Sequence, residues 1–209
     1  GLEFVLKRQI LVGAIGLDLF AVLLGGATAL LPIFATDILN VGSTGFGALR
    51  ATHMIGALSG ALLLTQYPIT RFAGKSLLLS VVVFGLAIII FGLSTYFWLS
   101  IAALFIIGSA DSVSVFIRNN LVQIITPDQM RGRVSAVSAV FIGASNELGE
   151  LESGVTAHFW GTVPAVVVGG IGTIAIAGLF AYKLPELRRV NSLDPDDLIE
   201  KYQKLETQT

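Results

Sequence analysis

The sequence predicts an all-α integral membrane protein of six transmembrane helices, organised as two inverted three-helix repeats. Three observations lead there. The first is composition. Of 209 residues, 54% are hydrophobic and 13% charged, and mean hydropathy is +0.82, whereas a soluble domain carries about 25% charge. The second is the presence of six apolar stretches near the roughly 20 residues needed to cross a bilayer core. They fall at about 9–31, 45–68, 76–94, 98–125, 133–157 and 162–182. The third is the placement of Lys and Arg in alternate loops only.

Each boundary carries its own punctuation. Pro32 is expected to close the first helix, and Asn40-Val41-Gly42-Ser43 to turn into the second. Residues 68–74, from Pro68 to Gly74, separate the second and third. Thr126-Pro127-Asp128 ends the fourth and supplies a helix-start signal for the fifth. Gly161 with Pro164 opens the sixth. Residues 77–92 and 163–181 contain no ionisable side chain, so the third and sixth helices are expected to face lipid. Residues 1–8 read as the remnant of a cytoplasmic loop and 184–209 as a cytoplasmic tail. In that tail, Asp194-Pro195-Asp196-Asp197 resembles a capped helix start, with Leu198, Tyr202 and Leu205 on one face.

Orientation follows from the short loops. Lys7 and Arg8 precede the first helix, Arg71 and Lys75 follow the second, Arg131 and Arg133 follow the fourth, and Lys183, Arg188, Arg189, Lys201 and Lys204 follow the sixth. The loops at 32–44, around Tyr96 and around Phe159-Trp160 hold no Lys or Arg. Alternation over six crossings places both termini in the cytoplasm. Trp98 and Trp160 then sit on the uncharged side, as interfacial anchors.

Several function classes drop out. Net charge is −1 and no basic field calls for nucleic acid. The absence of cysteine removes disulfides, thiolate metal sites and cysteine nucleophiles. His53 and His158 alone do not form a metal cluster, so no metal and no cofactor is expected. The opening residue Gly1 and the lack of a signal-peptide pattern suggest a fragment that begins within a loop.

Ionisable groups at membrane depth are costly and mark functional interiors. Here they are Asp18 on the first helix, Arg50 and His53 on the second, Asp111 and Arg118 on the fourth, and Glu147, Glu150 and Glu152 on the fifth. The same pattern recurs in each block of three, with a charge-free third member. A block of odd length reverses its orientation, and inverted repeats characterise transporters. At about 1.5 Å per residue, Asp18 and Arg118 both lie roughly 13 Å from the cytoplasmic face, so the two are placed to pair. Arg50, Asp111, Glu147 and Glu150 fall near a common level closer to the outside. The five acids outnumber the two arginines, and burial favours the neutral form of a carboxyl group. A carboxyl that gains and loses a proton at depth is what proton coupling requires. Gly56 and Gly60 form a GxxxG pair, and Ser135, Ala139 and Gly143 a small-residue stripe, both suited to close helix approach.

The segments Gly108-Ser109-Ala110-Asp111, Arg118-Asn119, Thr126-Pro127-Asp128-Gln129-Met130-Arg131-Gly132-Arg133-Val134 and Phe141-Ile142-Gly143-Ala144-Ser145-Asn146-Glu147-Leu148-Gly149-Glu150 resemble the major facilitator superfamily. Within it they look most like drug and siderophore exporters of the enterobactin-exporter type. Leu17-Asp18-Leu19-Phe20 with Leu30-Leu31-Pro32 fits the seventh helix of that group. The resemblance implies the C-terminal six-helix half of a twelve-helix proton antiporter of the bacterial inner membrane. Its partners would be the bilayer, an N-terminal six-helix half, protons and a small amphiphilic substrate. Asp128 with Arg131, Gly132 and Arg133 is similar to the family's cytoplasmic gate motif, in shortened form. The counterpart at Arg71 and Lys75 lacks the acid. Two other classes compete. A membrane scaffold without transport is compatible with the same pattern. An intramembrane serine hydrolase is disfavoured, because no Gly-x-Ser-x-Gly frames Ser112 or Ser145 and neither histidine is placed as a base.

Overall fold

The computed structural model describes residues 1–69, 71–191, 193 and 198. Every element among them is a helix. These are α1 (Leu2–Leu6), α2 (Gln9–Leu24), a 3-10 turn (Ala27–Leu30), α3 (Leu31–Ile33), a π turn (Phe34–Ile38), α4 (Gly42–Gln66), α5 (Ala73–Leu93), α6 (Phe97–Ile125), α7 (Asp128–Trp160), α8 (Thr162–Lys183) and α9 (Pro185–Arg188). The protein is an all-α membrane protein. Five of its helical runs are long and apolar enough to cross a bilayer, namely 9–38, α4, α5, α6 and α8. The stretch expected at 133–157 lies inside α7, which has the length, at 33 residues, but not the apolarity.

Three expectations need correction. Residues 2–6 are helical, not loop. The Lys7 ammonium meets Glu3 at 2.7 Å and, by hydrogen bond and charge, holds that carboxyl below its ordinary value. Pro32 does not end the first run. It occupies the first turn of α3, where its missing N–H costs nothing, and the helical path continues to Ile38. The break comes earlier, at Gly25-Gly26. The Gly25 N–H still donates to Ala21 O at 2.8 Å, but Ala27 N–H turns back to Gly25 O at 2.7 Å, so the α-helical ladder stops there. Finally, the third and sixth spans do not simply line the outside. α5 packs on α8, where a Cβ at Gly85 would stand 2.9 Å from the Gly170 carbonyl. Their outer faces, with Leu79, Leu86, Ile90 and Leu93 on α5 and Val168, Ile171 and Leu179 on α8, are exposed and wholly apolar. Apart from Leu198, which is helical and buried, the capped helix expected after Asp194 lies outside the described residues.

Close approaches define the relative directions of the helices. Gly149 and Ser153 of α7 abut Gly26, while Arg133 and Val137 abut Gly1, so α7 accompanies α2 in the same direction. α8 opposes α2, with Gly169 at Leu24, Thr173 at Ala21 and Phe180 at Gly16. α5 opposes α8 in turn, with Gly74 at Leu187 and Gly92 at Val166. α4 and α6 run alongside each other, Gly56 at Phe105 and Gly60 at Ser109 and Ser112. The GxxxG pair is therefore used as the sequence suggests, and Ser109 Oγ donates across this crossing to Gly56 O at 3.0 Å. The Ser135–Ala139–Gly143 stripe is not used in this way: it is exposed and nothing approaches Gly143.

Two apolar clusters fill the interior. One gathers Leu11, Leu17, Leu77, Ile117 and Leu121 at the end near the chain start. The other gathers Phe34, Leu49, Ile88, Phe91 and Leu104 at the opposite end. Asp18 and Arg118 lie within the first cluster, between Leu17 and Ala21 on α2 and between Ile117 and Leu121 on α6.

A methyl group at Gly108 would overlap the His53 carbonyl and approach Ala57 N to 2.8 Å, whereas one at Gly143 would meet nothing. Gly108→Ala is accordingly expected to cost about 1–3 kcal/mol through overpacking. Gly143→Ala should be neutral or mildly stabilising. Thermal unfolding of both variants in detergent checks the pair.

Candidate functional site

The centre of the bundle holds a buried ion pair. Asp18 on α2 and Arg118 on α6 are only 5% and 4% exposed and form a salt bridge. Both sit on faces dictated by the surrounding pattern. Asp18 shares the packed side of α2 with Leu11, Ala14, Leu17 and Ala21, and Arg118 shares that of α6 with Ser114, Ile117, Leu121 and Val122. Charges so far from water persist only when paired.

From that pair a polar tract leads away. One turn before Arg118, the Ser114 hydroxyl is buried and has no hydrogen-bond partner among the described residues. It borders a void of about 10 Å3 together with Asp18, Ser80 and Asp111, which is the room for about one water. Asp111, Val22 and Phe84 also line the next cavity, of about 140 Å3. Around that cavity stand His53 of α4, Asn146 and Glu150 of α7, and the backbone of Gly25 and Gly26 at the break after α2. Gly149 is what allows α7 to approach this break. A Cβ there would stand 2.9 Å from the Val22 carbonyl and 3.1 Å from that of Leu23. Irregular backbone at membrane depth is tolerated where it borders such a cavity.

The sequence-derived candidates therefore divide. Asp18 with Arg118, and Asp111 with Glu150, are brought onto one tract. Arg50 and Glu147, on α4 and α7, are not, since neither lines the cavity; both are exposed, as Glu150 is. Glu152 is half-buried and accepts a hydrogen bond from Thr156 Oγ1 at 2.8 Å. At the Lys/Arg-rich end, Asp128 meets Arg131 at 2.9 Å, and Arg131 Nε donates to Gln123 O at 3.3 Å. Gly132 and Arg133 beside them are exposed. The counterpart loop is tied to the segment after α9, where Phe72 N–H donates to Asn191 O at 2.6 Å and Gly74 N–H to Val190 O at 3.0 Å. Among the described residues, no group of three or more His, Asp or Glu is placed to hold a metal.

Sequence reasoning missed Asn146, Gly25 and Gly26 as site residues. The available signal was the glycine pair itself, since two adjacent glycines inside an apolar run weaken a helix where it should be continuous.

A helical membrane bundle with a buried ion pair, a broken helix and a polar cavity is an arrangement that transporter folds use. The chain belongs to the transmembrane secretion effector family of the major facilitator superfamily, whose model matches residues 4–207. It is 28% identical over 182 residues to the enterobactin exporter EntS of Citrobacter koseri, covering 86% of this chain and 44% of that protein. To EntS of Escherichia coli O1:K1 it is 27% identical over 195 residues, covering 93% of this chain and 47% of that one. The value for EntS of Shigella boydii serotype 18 is also 27% over 195 residues. The chain spans about half the length of these relatives.

Breaking a buried pair on one side strands a charge and costs about 3–5 kcal/mol, whereas replacing both members by apolar residues is often neutral. Asp18→Leu or Arg118→Met alone should thus sharply reduce the folded yield in membranes, and the double variant should recover most of it. Size-exclusion profiles of the solubilised variants measure this.

Proposed function

We propose that this chain is the C-terminal half of a proton-coupled exporter of a small amphiphilic molecule, acting by alternating access in the bacterial inner membrane. The observation that carries the reading is the polar tract that starts at the buried Arg118 and Asp18, passes half-buried Asp111 and ends at exposed Glu150, since a soluble-like or purely structural bundle has no use for so many carboxyl groups at depth.

Six crossings are supported by α7. It runs beside α2 and in its direction, its 33 residues reach about 50 Å, and its crossing restores the alternation of Lys and Arg between loops. Both termini then lie in the cytoplasm. The inverted repeat is supported by the symmetry of the packing. Exchanging α2, α4 and α5 with α6, α7 and α8 turns the α4–α6 crossing into α7–α2 and the α5–α6 contact into α8–α2, while α5–α8 and α2–α6 map onto themselves. The ion pair joins the leading helix of one triplet to that of the other.

The missing half is supported by what remains uncovered. Only 22% of the most apolar stretch of α4 is buried, against 56% for the run containing α2. The bare faces of α4 and α7 carry Arg50, Glu147 and the Ser135–Ala139–Gly143 stripe. An N-terminal six-helix half seated there would enclose those charges and turn the 140 Å3 cavity into part of a shared central pocket.

In this scheme Asp111 makes no ion pair among the described residues and borders both voids, which places it to take up and release a proton. Glu150 and Glu147 face the shared pocket at successive depths. Asp128, Arg131, Gly132 and Arg133 form the cytoplasmic gate, the Asp128–Arg131 pair opening and closing against the partner half. For substrate class, the named activity of the relatives points to a siderophore or a comparable amphiphile.

The test uses the full-length protein in everted membrane vesicles, with enterobactin as the probe and a proton gradient as the drive. Asp111→Asn and Glu147→Gln are expected to abolish accumulation while the protein remains folded and inserted. Undiminished accumulation in both would contradict the coupling assignment. No gradient-driven accumulation of siderophore or drug by the unmodified protein would favour a scaffold without transport.

A further inference from the structure

A second cavity, of about 410 Å3, opens outward between α5 and α6. Its walls are Leu79 and Val83 of α5 and Phe105, Ile106 and Val113 of α6, with Ile69 at one end. Its three hydroxyl-bearing residues do not make it a polar site. Ser80 Oγ donates to Leu77 O at 2.7 Å, and Ser109 Oγ to Phe105 O at 2.9 Å and Gly56 O at 3.0 Å. Two of the hydroxyls are thus spent on backbone carbonyls. The third, Ser76, stands at the Ile69 end. The groove extends roughly 10–12 Å along the helices, about a third of the hydrocarbon thickness of a bilayer, and it continues the charge-free outer face of α5.

The end marked by Ile69 and Ser76 is also the basic end. Arg71 and Lys75 flank it in the chain, and both are exposed. Lys75 Nζ stands 5.4 Å over the Phe72 ring, and Phe72 is held in the left-handed region at φ 57° by the start of α5 and its bond to Asn191 O. Neither cation has a carboxylate partner among the described residues. An apolar slot for hydrocarbon, with two exposed cations close in the chain to its end residues Ile69 and Ser76, is complementary to one ligand class. We propose that this groove binds a single anionic phospholipid, its phosphate at Arg71 and Lys75 and one acyl chain between α5 and α6.

The floor of the groove gives that lipid a structural task. Ser80 and Ala110 line both the groove and the small void beside Asp18 and Asp111. The wall between bilayer and buried carboxyl groups is therefore made of two small residues, and a resident acyl chain thickens it. This inference is independent of transport, because it concerns the outer flank of the bundle.

The test is native mass spectrometry of the full-length protein released from detergent containing equal phosphatidylglycerol and phosphatidylcholine. The unmodified protein should retain phosphatidylglycerol in preference. Arg71→Gln with Lys75→Gln should remove the preference, and Val83→Trp with Ile106→Trp, both on exposed positions, should reduce the retained lipid by one. Equal retention of the two lipids by the unmodified protein would overturn the proposal. So would an undiminished count in the groove-filled variant.

Discussion

The salt bridge between Asp18 and Arg118 is the constraint on which the rest of the structure depends. An unpaired charge at this depth is costly enough that the two side chains must meet. Their meeting fixes both the axial register and the rotation of α2 against α6. Once that register is set, Ser114 and Asp111 follow on α6 at one and two turns, and the small void and the larger cavity open beside them. The pair also ties the two halves of the internal packing together, because it links the leading helices of the two triplets. Lipid gives no hydrophobic drive for helix association, so a strong directional contact of this kind carries specificity that greasy packing alone lacks.

Around the pair, close backbone approach does most of the remaining work. Gly149 and Gly169 let α7 and α8 reach the carbonyls at the end of α2, and Gly56, Gly60 and Gly108 do the same for α4 and α6. These contacts cluster where α2 breaks. The break frees backbone polar groups, and those groups border the polar cavity instead of the bilayer. Asp18, Arg118 and Ser114 are turned inward, and the outer faces of α5 and α8 are left to hydrocarbon. The bundle is the reverse of a soluble one in this respect, with its most polar helix, α7, still partly uncovered.

Much of this was legible in the sequence. Five helices long and apolar enough to cross stand where apolar run length puts a span, which the bilayer thickness dictates; the stretch at 133–157 lies in a helix with the length but not the apolarity. Equal distance from the Lys/Arg-rich loops allowed Asp18 and Arg118 to pair but did not require it. Close approach at Gly56 followed from spacing. What stayed hidden was rotational. α7 carries polar residues on several faces, so hydrophobicity does not say which of them points inward, and Glu150 and Asn146 were indistinguishable from Glu147 in their access to the cavity. Pro32 misled because proline is accepted in a first turn, where no hydrogen bond is lost. The short helix at residues 2–6 escaped because a single exposed turn has little pattern to read. Asp128, Arg131, Gly132 and Arg133 stood out from their resemblance to a family motif, and the structure adds an internal Asp128–Arg131 contact that spacing alone suggests but does not require.

The central claim is that a wet polar path lies inside an apolar jacket. This chain contains no cysteine, so single cysteines introduced into it report without background from its own residues. Cysteines placed at His53, Asn146 and Glu150 should react with a membrane-impermeant, water-borne thiol reagent in the full-length protein, while cysteines at Leu86, Ile90 and Ile171 should react only with a lipid-soluble one. The opposite labelling pattern would contradict the account.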